Sequence, residues 1–415
     1  MLKQILFIQF AWLSLAASFS ISQQSKCISS TRLQSEKLQQ PHQQTDPMRE
    51  KRKQMDAQYR PGSLMAATIE TGKVPYGEKS RKYRRTIYAY SDWVSHRDSN
   101  SRIVDNLRGM LFSGIVRQLR PQVTTVALSA VVVLIWNVLL QPLMQSYVSM
   151  TTTSMMINVP LISLPSLPFT LSSPALGLLL VFRTNASYQR WLEARNTWSR
   201  MISHSKNLVR MGSTFSDDKD AVDMLSRSVW LYIRSAMNAL SSPDEDETLY
   251  VDEVNKMFQL SGEINGDDNT TEEQDMAIRV MESIDRTTVA WSYMSKRLHS
   301  LPVSDKKALI ETDKSIIVMG ECMATCEKVF TSPVPLVYTR HTARFLSLWA
   351  LLMPAALFSS FSSSGQSLIL IPTASILALF LFGIDELALA LEEPFSILPM
   401  KSFCDDFTRS AESLK

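Results

Sequence analysis

Between Pro121 and Phe182 the chain has not one Asp, Glu, Lys, Arg or His, and Phe345 to Ile384 is equally uncharged. About a quarter of the residues in an ordinary soluble chain are charged, so two such gaps point to hydrocarbon surroundings. Each gap is long enough for two helices of about 20 residues. A loop holding Pro142, Pro160, Pro165 and Pro168 divides the first gap, and the polar run Ser359–Gln366 divides the second. The pattern therefore predicts four spans, near Val123–Leu140, Phe169–Phe182, Phe345–Phe358 and Leu368–Ile384.

Between the two hairpins the periodicity changes. Apolar residues recur at three- and four-residue spacing near Trp191–Met211, Ala221–Leu240, Met276–Leu298 and Asp305–Phe330, which predicts a large water-facing helical region. Pro333 and Pro335 end the last of these. Ser242 to Asp275 holds a dozen acids and one lysine, Lys256. Such a charge block predicts a solvated, mobile loop. It lacks EF-hand spacing. Before the first span, Ile87–Leu119 is patterned as surface helices on the membrane face, following the basic run Lys79–Arg85.

The predicted division of the chain is therefore as follows. Residues 1–18 read as a secretory signal, with Lys3 before an apolar run. Residues 19–78 read as a disordered, Ser-, Gln- and base-rich segment resembling a plastid transit sequence. Surface helices occupy 79–120, the first hairpin 121–182, the soluble region 183–343 with its acidic loop 242–275, the second hairpin 344–391, and a C-terminal segment 392–415. A signal anchor and a plain disordered tail are the competing readings of the N-terminus.

Charge then sets orientation. Four spans put both ends on one side, and the basic segments at 79–85, 117–120 and 183–210 all flank that side. The positive-inside rule places it in the cytosol or stroma. Asn185 and Asn269 match glycosylation sequons but fall on this non-lumenal side. The net charge of +3 does not argue for nucleic acid. Of the four cysteines, Cys322 and Cys326 lie one helical turn apart without the spacing of a zinc site, so buried thiols are expected and no metal. No HExxH, GxSxG or paired-histidine motif is present, which argues against an enzyme.

Chemistry concentrates where the second span leaves the membrane. Pro174, Leu178 and Phe182 fall four apart and share a helix stripe. Arg183 and Arg190 share another, among the aromatic residues Tyr188, Trp191 and Trp198. From spacing alone the stripe reads first as packing against neighbouring helices, with a pore lining as the alternative. The fourth span ends in Asp385, Glu386, Glu392 and Glu393, which repeat at seven. Acids there are costly unless paired, and the arginines after the second span are the natural partners. Proton relay through them is the alternative.

The string ALGLLLVFRTNASYQRWLEARNTW resembles the second transmembrane segment of the bestrophin family, in its plant and bacterial branch. RRTIYAYSDWVSHR (Arg84–Arg97), PLVYTRH (Pro335–His341) and FGIDELALALEEPFSILPM (Phe382–Met400) agree in the family's order. The resemblance implies an all-α membrane protein with four transmembrane helices per subunit, a large helical cytosolic or stromal region, and a bestrophin-like homopentamer in lipid. It implies passive, voltage-dependent conduction of chloride, bicarbonate or other monovalent anions without a cofactor, in a plastid membrane such as the thylakoid. Carried over residue by residue, the pore neck falls on Pro174, Leu178 and Phe182, and Pro174 departs from the larger aliphatic residue of many relatives. A proline-broken backbone there would turn amide groups toward the path. Arg183 and Arg190 would form an anion-attracting collar, unless the acids consume them. A carrier using Asp385 or Glu386 for protons is the competing function. Animal bestrophins follow their Pro-Phe motif with a calcium-clasping acidic run; after Pro394-Phe395 no acid occurs until Asp405, so calcium activation is not expected.

Overall fold

The computed structural model describes residues 81–97, 104, 106–109, 113–151, 159–260, 271–303, 306–362 and 366–414. The expected signal and transit segments and Cys27 lie outside them. Every regular element among the described residues is helical. Four helices are long and apolar enough to cross a membrane.

A 3-10 turn at Lys82–Arg84 leads to α1 (Tyr90–Arg97), which has no buried residue. Then α2 (Gly114–Gln118) runs into α3 (Arg120–Leu134), whose first turn accepts Pro121 because its missing N–H has no helical partner there. A π turn, Ile135–Leu140, joins α3 to α4 (Gln141–Thr151). The first membrane helix therefore runs Arg120–Val148, well past the expected Leu140, and Pro142 sits in the opening turn of α4 instead of in a loop.

Polar side chains around the π turn fasten the return of the chain. The Asn137 amide donates to Ile162 O at 2.8 Å, and its carbonyl accepts from Ile162 N at 2.7 Å. Trp136 Nε1 donates to Pro160 O at 3.1 Å, and Val159 N donates to Gln145 Oε1 at 2.9 Å. In hydrocarbon an unmet backbone group costs several kcal/mol, so these amides satisfy an irregular segment that lipid cannot.

The longest helix is α5 (Leu167–Phe215), 49 residues. At 1.5 Å per residue it extends about 74 Å, more than twice a hydrocarbon core of about 30 Å. It runs through Pro174 without ending, so the expected proline break is absent. Pro174 cannot donate to Thr170 O, and the Ser173 hydroxyl donates there instead, at 3.3 Å.

In the water-facing region, α6 (Lys219–Leu240) is capped by Asp218, whose carboxylate accepts from Asp220 N and Ala221 N. There follow α7 (Pro243–Phe258), ending at left-handed Gln259, and α8 (Glu272–Glu282), opened by a Thr271–Gln274 capping box. Next are α9 (Arg286–His299) and α10 (Lys306–Thr331). The stretch expected as one helix over Met276–Leu298 is thus divided at Ser283–Asp285, because Asp285 caps a new start by accepting from Thr288 N at 3.0 Å. The second hairpin is α11 (Leu336–Ser362) and, after a 3-10 turn, α12 (Leu370–Glu392); α13 (Met400–Glu412) closes the chain.

The acidic segment departs most from expectation. Much of 242–275 is helix, and Asp246 and Glu247 are 5% and 2% exposed. Both carboxylate oxygens of Asp246 accept from Arg234, at 2.8 and 2.9 Å, and Glu253 accepts from Arg234 Nε at 2.5 Å. Glu247 pairs with Arg286 at 2.7 Å, and the Tyr250 ring lies beneath both guanidinium groups. Two buried arginines consume these acids, a partnership that local composition cannot reveal.

Two kinds of core result. The membrane core around Val126, Val133, Met353 and Leu370 includes Ala130, Ala350, Ala374 and Ala378, all fully buried, which lets α3, α11 and α12 approach closely. The other core joins α5, α6, α9, α10 and α13 through Trp198, Met201, Leu231, Tyr293, Met319 and Phe407.

Candidate functional site

The face of α5 that packs inside the chain is set by Leu176 and Leu180, which close against Leu346 of α11. Pro174, Leu178 and Phe182 occupy the opposite face and are exposed, Leu178 by 54% and Phe182 by 55%. Among the described residues nothing covers the stripe, so packing between these elements does not account for it. Tyr338 Oη donates to Leu179 O at 3.1 Å and Trp349 Nε1 donates to Ser172 Oγ at 3.2 Å, which locks the rotation of α5 against α11. Neither contact was foreseen from sequence. Toward the aqueous end the exposed face continues through Asn185 and Gln189.

The two arginines expected as a collar are placed differently. Arg183 is only 3% exposed and forms an ion pair with Asp385 of α12. Arg190 spends its guanidinium on three carbonyls: Glu392 O at 2.9 Å, Ser332 O at 2.6 Å and Val329 O at 2.6 Å. Both therefore tie α5 to its neighbours, and Arg183 is turned away from the open face. They point away from the Phe182 stripe because 3.6-residue periodicity rotates each successive residue by 100°.

The four acids are all engaged, but among the described residues only the Asp385 carboxylate pairs with an arginine of α5. Glu386 Oε1 accepts from Gln118 Nε2 at 2.5 Å. Glu392 Oε1 accepts from Val334 N at 3.1 Å, capping the restart after α10. Glu393 Oε1 accepts from Phe395 N and Ser396 N, while Oε2 accepts from Arg81 at 2.9 Å. Arg85 Nε adds a bond to Ser396 O at 2.7 Å. The basic run before the first span thus clamps the exit of the last one. Its partners lie more than 300 positions away, so no local pattern announces them.

Outside the membrane, burial pushes the Cys326 thiol up to about 12, with Cys322, Glu327 and Glu193 adding to the effect. Burial likewise raises Cys404 to about 12. For Glu253 burial works upward, but hydrogen bonds from Arg234 and Lys401 prevail and hold it below the usual carboxylate range.

The site is thus an uncovered apolar stripe on a membrane helix whose charged neighbours are neutralised internally. The chain is 29% identical over 331 residues to "Voltage-dependent chloride channel 1, chloroplastic" of Arabidopsis thaliana, covering 79% of this chain and 72% of that protein. It is 28% identical over 332 residues to "Voltage-dependent chloride channel 2, chloroplastic" of the same plant, with the same coverage. Both are named as channels, not as enzymes. A crystal structure of a mutant bacterial bestrophin homologue from Klebsiella pneumoniae superposes with a TM-score of 0.56 at 20% identity, covering 73% of this chain and 99% of that one. Residues 92–413 match the family described as "Bacterial/Fungal Bestrophin protein", so that four-span architecture and family signature coincide over most of the sequence: the chain belongs to the bestrophin family.

Proposed function

We propose that the protein is an anion-selective channel of a plastid membrane, conducting chloride passively along the exposed face of α5. The observation that carries this reading is the stripe of Pro174, Leu178 and Phe182, uncovered by its own chain in the one helix that runs from the membrane far into water. A lone four-span subunit has no room to surround a path. In a homopentamer each of these residues becomes one of five in a ring, and the rings form an apolar neck. Such a neck carries no fixed charge to trap an ion and gates by dewetting. Phe182 rings turned edge-on present partial positive charge to a partly dehydrated anion, which favours weakly hydrated species.

The names of the Arabidopsis relatives support chloride as the ion and the plastid as the location. We take the thylakoid as the membrane, residues 1–78 as its address, and bicarbonate as a second permeant ion. The neutralised state of Arg183 and Asp385 favours passive conduction over proton coupling, because Asp385 is held by its partner. Proteoliposomes holding the purified chain test the reading. Chloride efflux should run with or without a pH gradient and stop when chloride is replaced by gluconate; efflux that requires the proton gradient would make the protein a carrier.

A further inference from the structure

With Arg183 and Arg190 occupied, the positive charge that favours anions must come from elsewhere, and the register of α5 shows where it lies. A helix returns to the same azimuth every 18 residues, or about five turns. Asn185 therefore lies above Ser203, and Pro174 lies above Leu192 and, after about ten turns, Arg210. Asn185, Gln189, Asn196, Ser203 and Arg210 fall on this one side. Asn185, Gln189, Asn196, Ser203 and Arg210 are all exposed, with half-buried Leu192 and Asn207 between them, so exposed positions recur on this face from the neck to Arg210. None of these residues is an acid.

Around Arg210 the open face widens into a groove of about 340 Å³ where α5 meets α13, lined by Ser203, Lys206, Asn207, Ser410 and Ser413. Lys206 is paired with Asp406 at 2.6 Å, which Arg409 also approaches at 3.6 Å. Among the described residues Arg210 donates to a neutral oxygen, Asn207 Oδ1, at 2.7 and 3.2 Å. That contact orients the guanidinium without cancelling its charge. Lys206 and Arg409 thus share the Asp406 carboxylate, while the Ser410 and Ser413 hydroxyls donate to the carbonyls of Asp406 and Ser410, both at 2.8 Å.

We infer that this groove is an anion-binding station on the conduction path, in which Arg210 collects small monovalent anions at the aqueous mouth. The inference rests on the channel reading above. About 42 Å separates Arg210 from Phe182 along α5, so the site is distinct from the neck and acts on supply, not on gating. A charged mouth raises the local counter-ion concentration, and salt screens that effect.

The test is single-channel recording of the reconstituted full chain in about 10 mM and about 1 M chloride, where screening lengths are about 30 and 3 Å. Arg210→Gln should lower conductance about two- to fivefold in the dilute solution and leave it unchanged in the concentrated one. Arg210→Lys should keep the wild-type ratio, and so should Arg279→Gln, which removes an exposed arginine from α8. Should Arg210→Gln fail to assemble, Ser203→Cys treated with an anionic methanethiosulfonate supplies the same answer by lowering dilute-salt current. Unchanged dilute-salt conductance in Arg210→Gln or in the modified Ser203→Cys channel would overturn the inference, as would an equal dilute-salt loss in Arg279→Gln. A wild-type chain that carries no anion current would instead remove the channel reading itself.

Discussion

Arg183 of α5 and Asp385 of α12 form an ion pair with side chains only 4% and 14% exposed, joining the second membrane helix to the fourth where both leave the apolar region. Removing one partner leaves a buried charge without compensation, which typically costs about 3–5 kcal/mol, whereas removing both costs far less. Arg183→Gln should therefore lower the thermal transition of the detergent-solubilised protein sharply, and adding Asp385→Asn should restore part of the loss. A double variant that is simply the sum of two independent losses would show that the pair is not coupled.

The stripe gives a second expectation. If the stripe forms the proposed neck, Leu178→Ala combined with Phe182→Ala should wet it and make gating leaky, because large apolar side chains would be what excludes water there. Preference among anions should flatten as the aromatic edges disappear. If the stripe is packing between copies, the same change leaves cavities costing about 2–5 kcal/mol per large side chain, and the oligomer should dissociate in size-exclusion chromatography.

The buried arginine cluster should show in the acid limb of stability. Glu253 is held below its usual range, chiefly by Arg234 and Lys401 against the opposing effect of burial. Its unfolded form binds protons first as pH falls, so its contribution is complete above the ordinary carboxylate pKa of about 4.3 and is lost below it. Melting curves from pH 7 to pH 3 should show the wild type losing more stability on acidification than Glu253→Gln does. Parallel pH profiles for the two would contradict this assignment.

Thiol chemistry offers a third check on the packing. Cys322, Cys326 and Cys404 are buried and free, with Cys326 and Cys404 pushed up to about 12. Only the thiolate reacts readily, so iodoacetamide at pH 8 should leave all three unmodified in the native protein and label them after denaturation. Peptide mass mapping separates them from Cys27. Rapid native labelling of Cys326 would mean that the core of α5, α9 and α10 opens.

The spans were legible because charge is excluded from hydrocarbon, and the gaps at Pro121–Phe182 and Phe345–Ile384 register that exclusion directly. The limits of the helices were not. Arg120–Val148 outruns its expected end because Asn137, Gln141 and Gln145 are polar residues serving a local fold-back, which composition cannot distinguish from a loop. The stripe at Pro174, Leu178 and Phe182 was visible from spacing, and its exposure follows from the packing of Leu176 and Leu180. The partners of the expected collar were not legible: spacing places Arg183 and Arg190 on one helix face but says nothing of the carboxylate and the three carbonyls that receive them. The partners of Asp246 and Glu247 were hidden likewise, since a run of acids reads as solvated until Arg234 and Arg286 arrive from helices that sequence does not align.

The central claim is that this chain passes anions through a neck lined by α5. Its most direct test is the reversal potential of the purified wild-type protein in a planar bilayer separating concentrated from dilute potassium chloride. The account predicts reversal close to the chloride equilibrium potential, unmoved when a pH difference is imposed across the membrane. Reversal near the potassium equilibrium potential, or at zero, or at a value that follows the proton gradient, would contradict it.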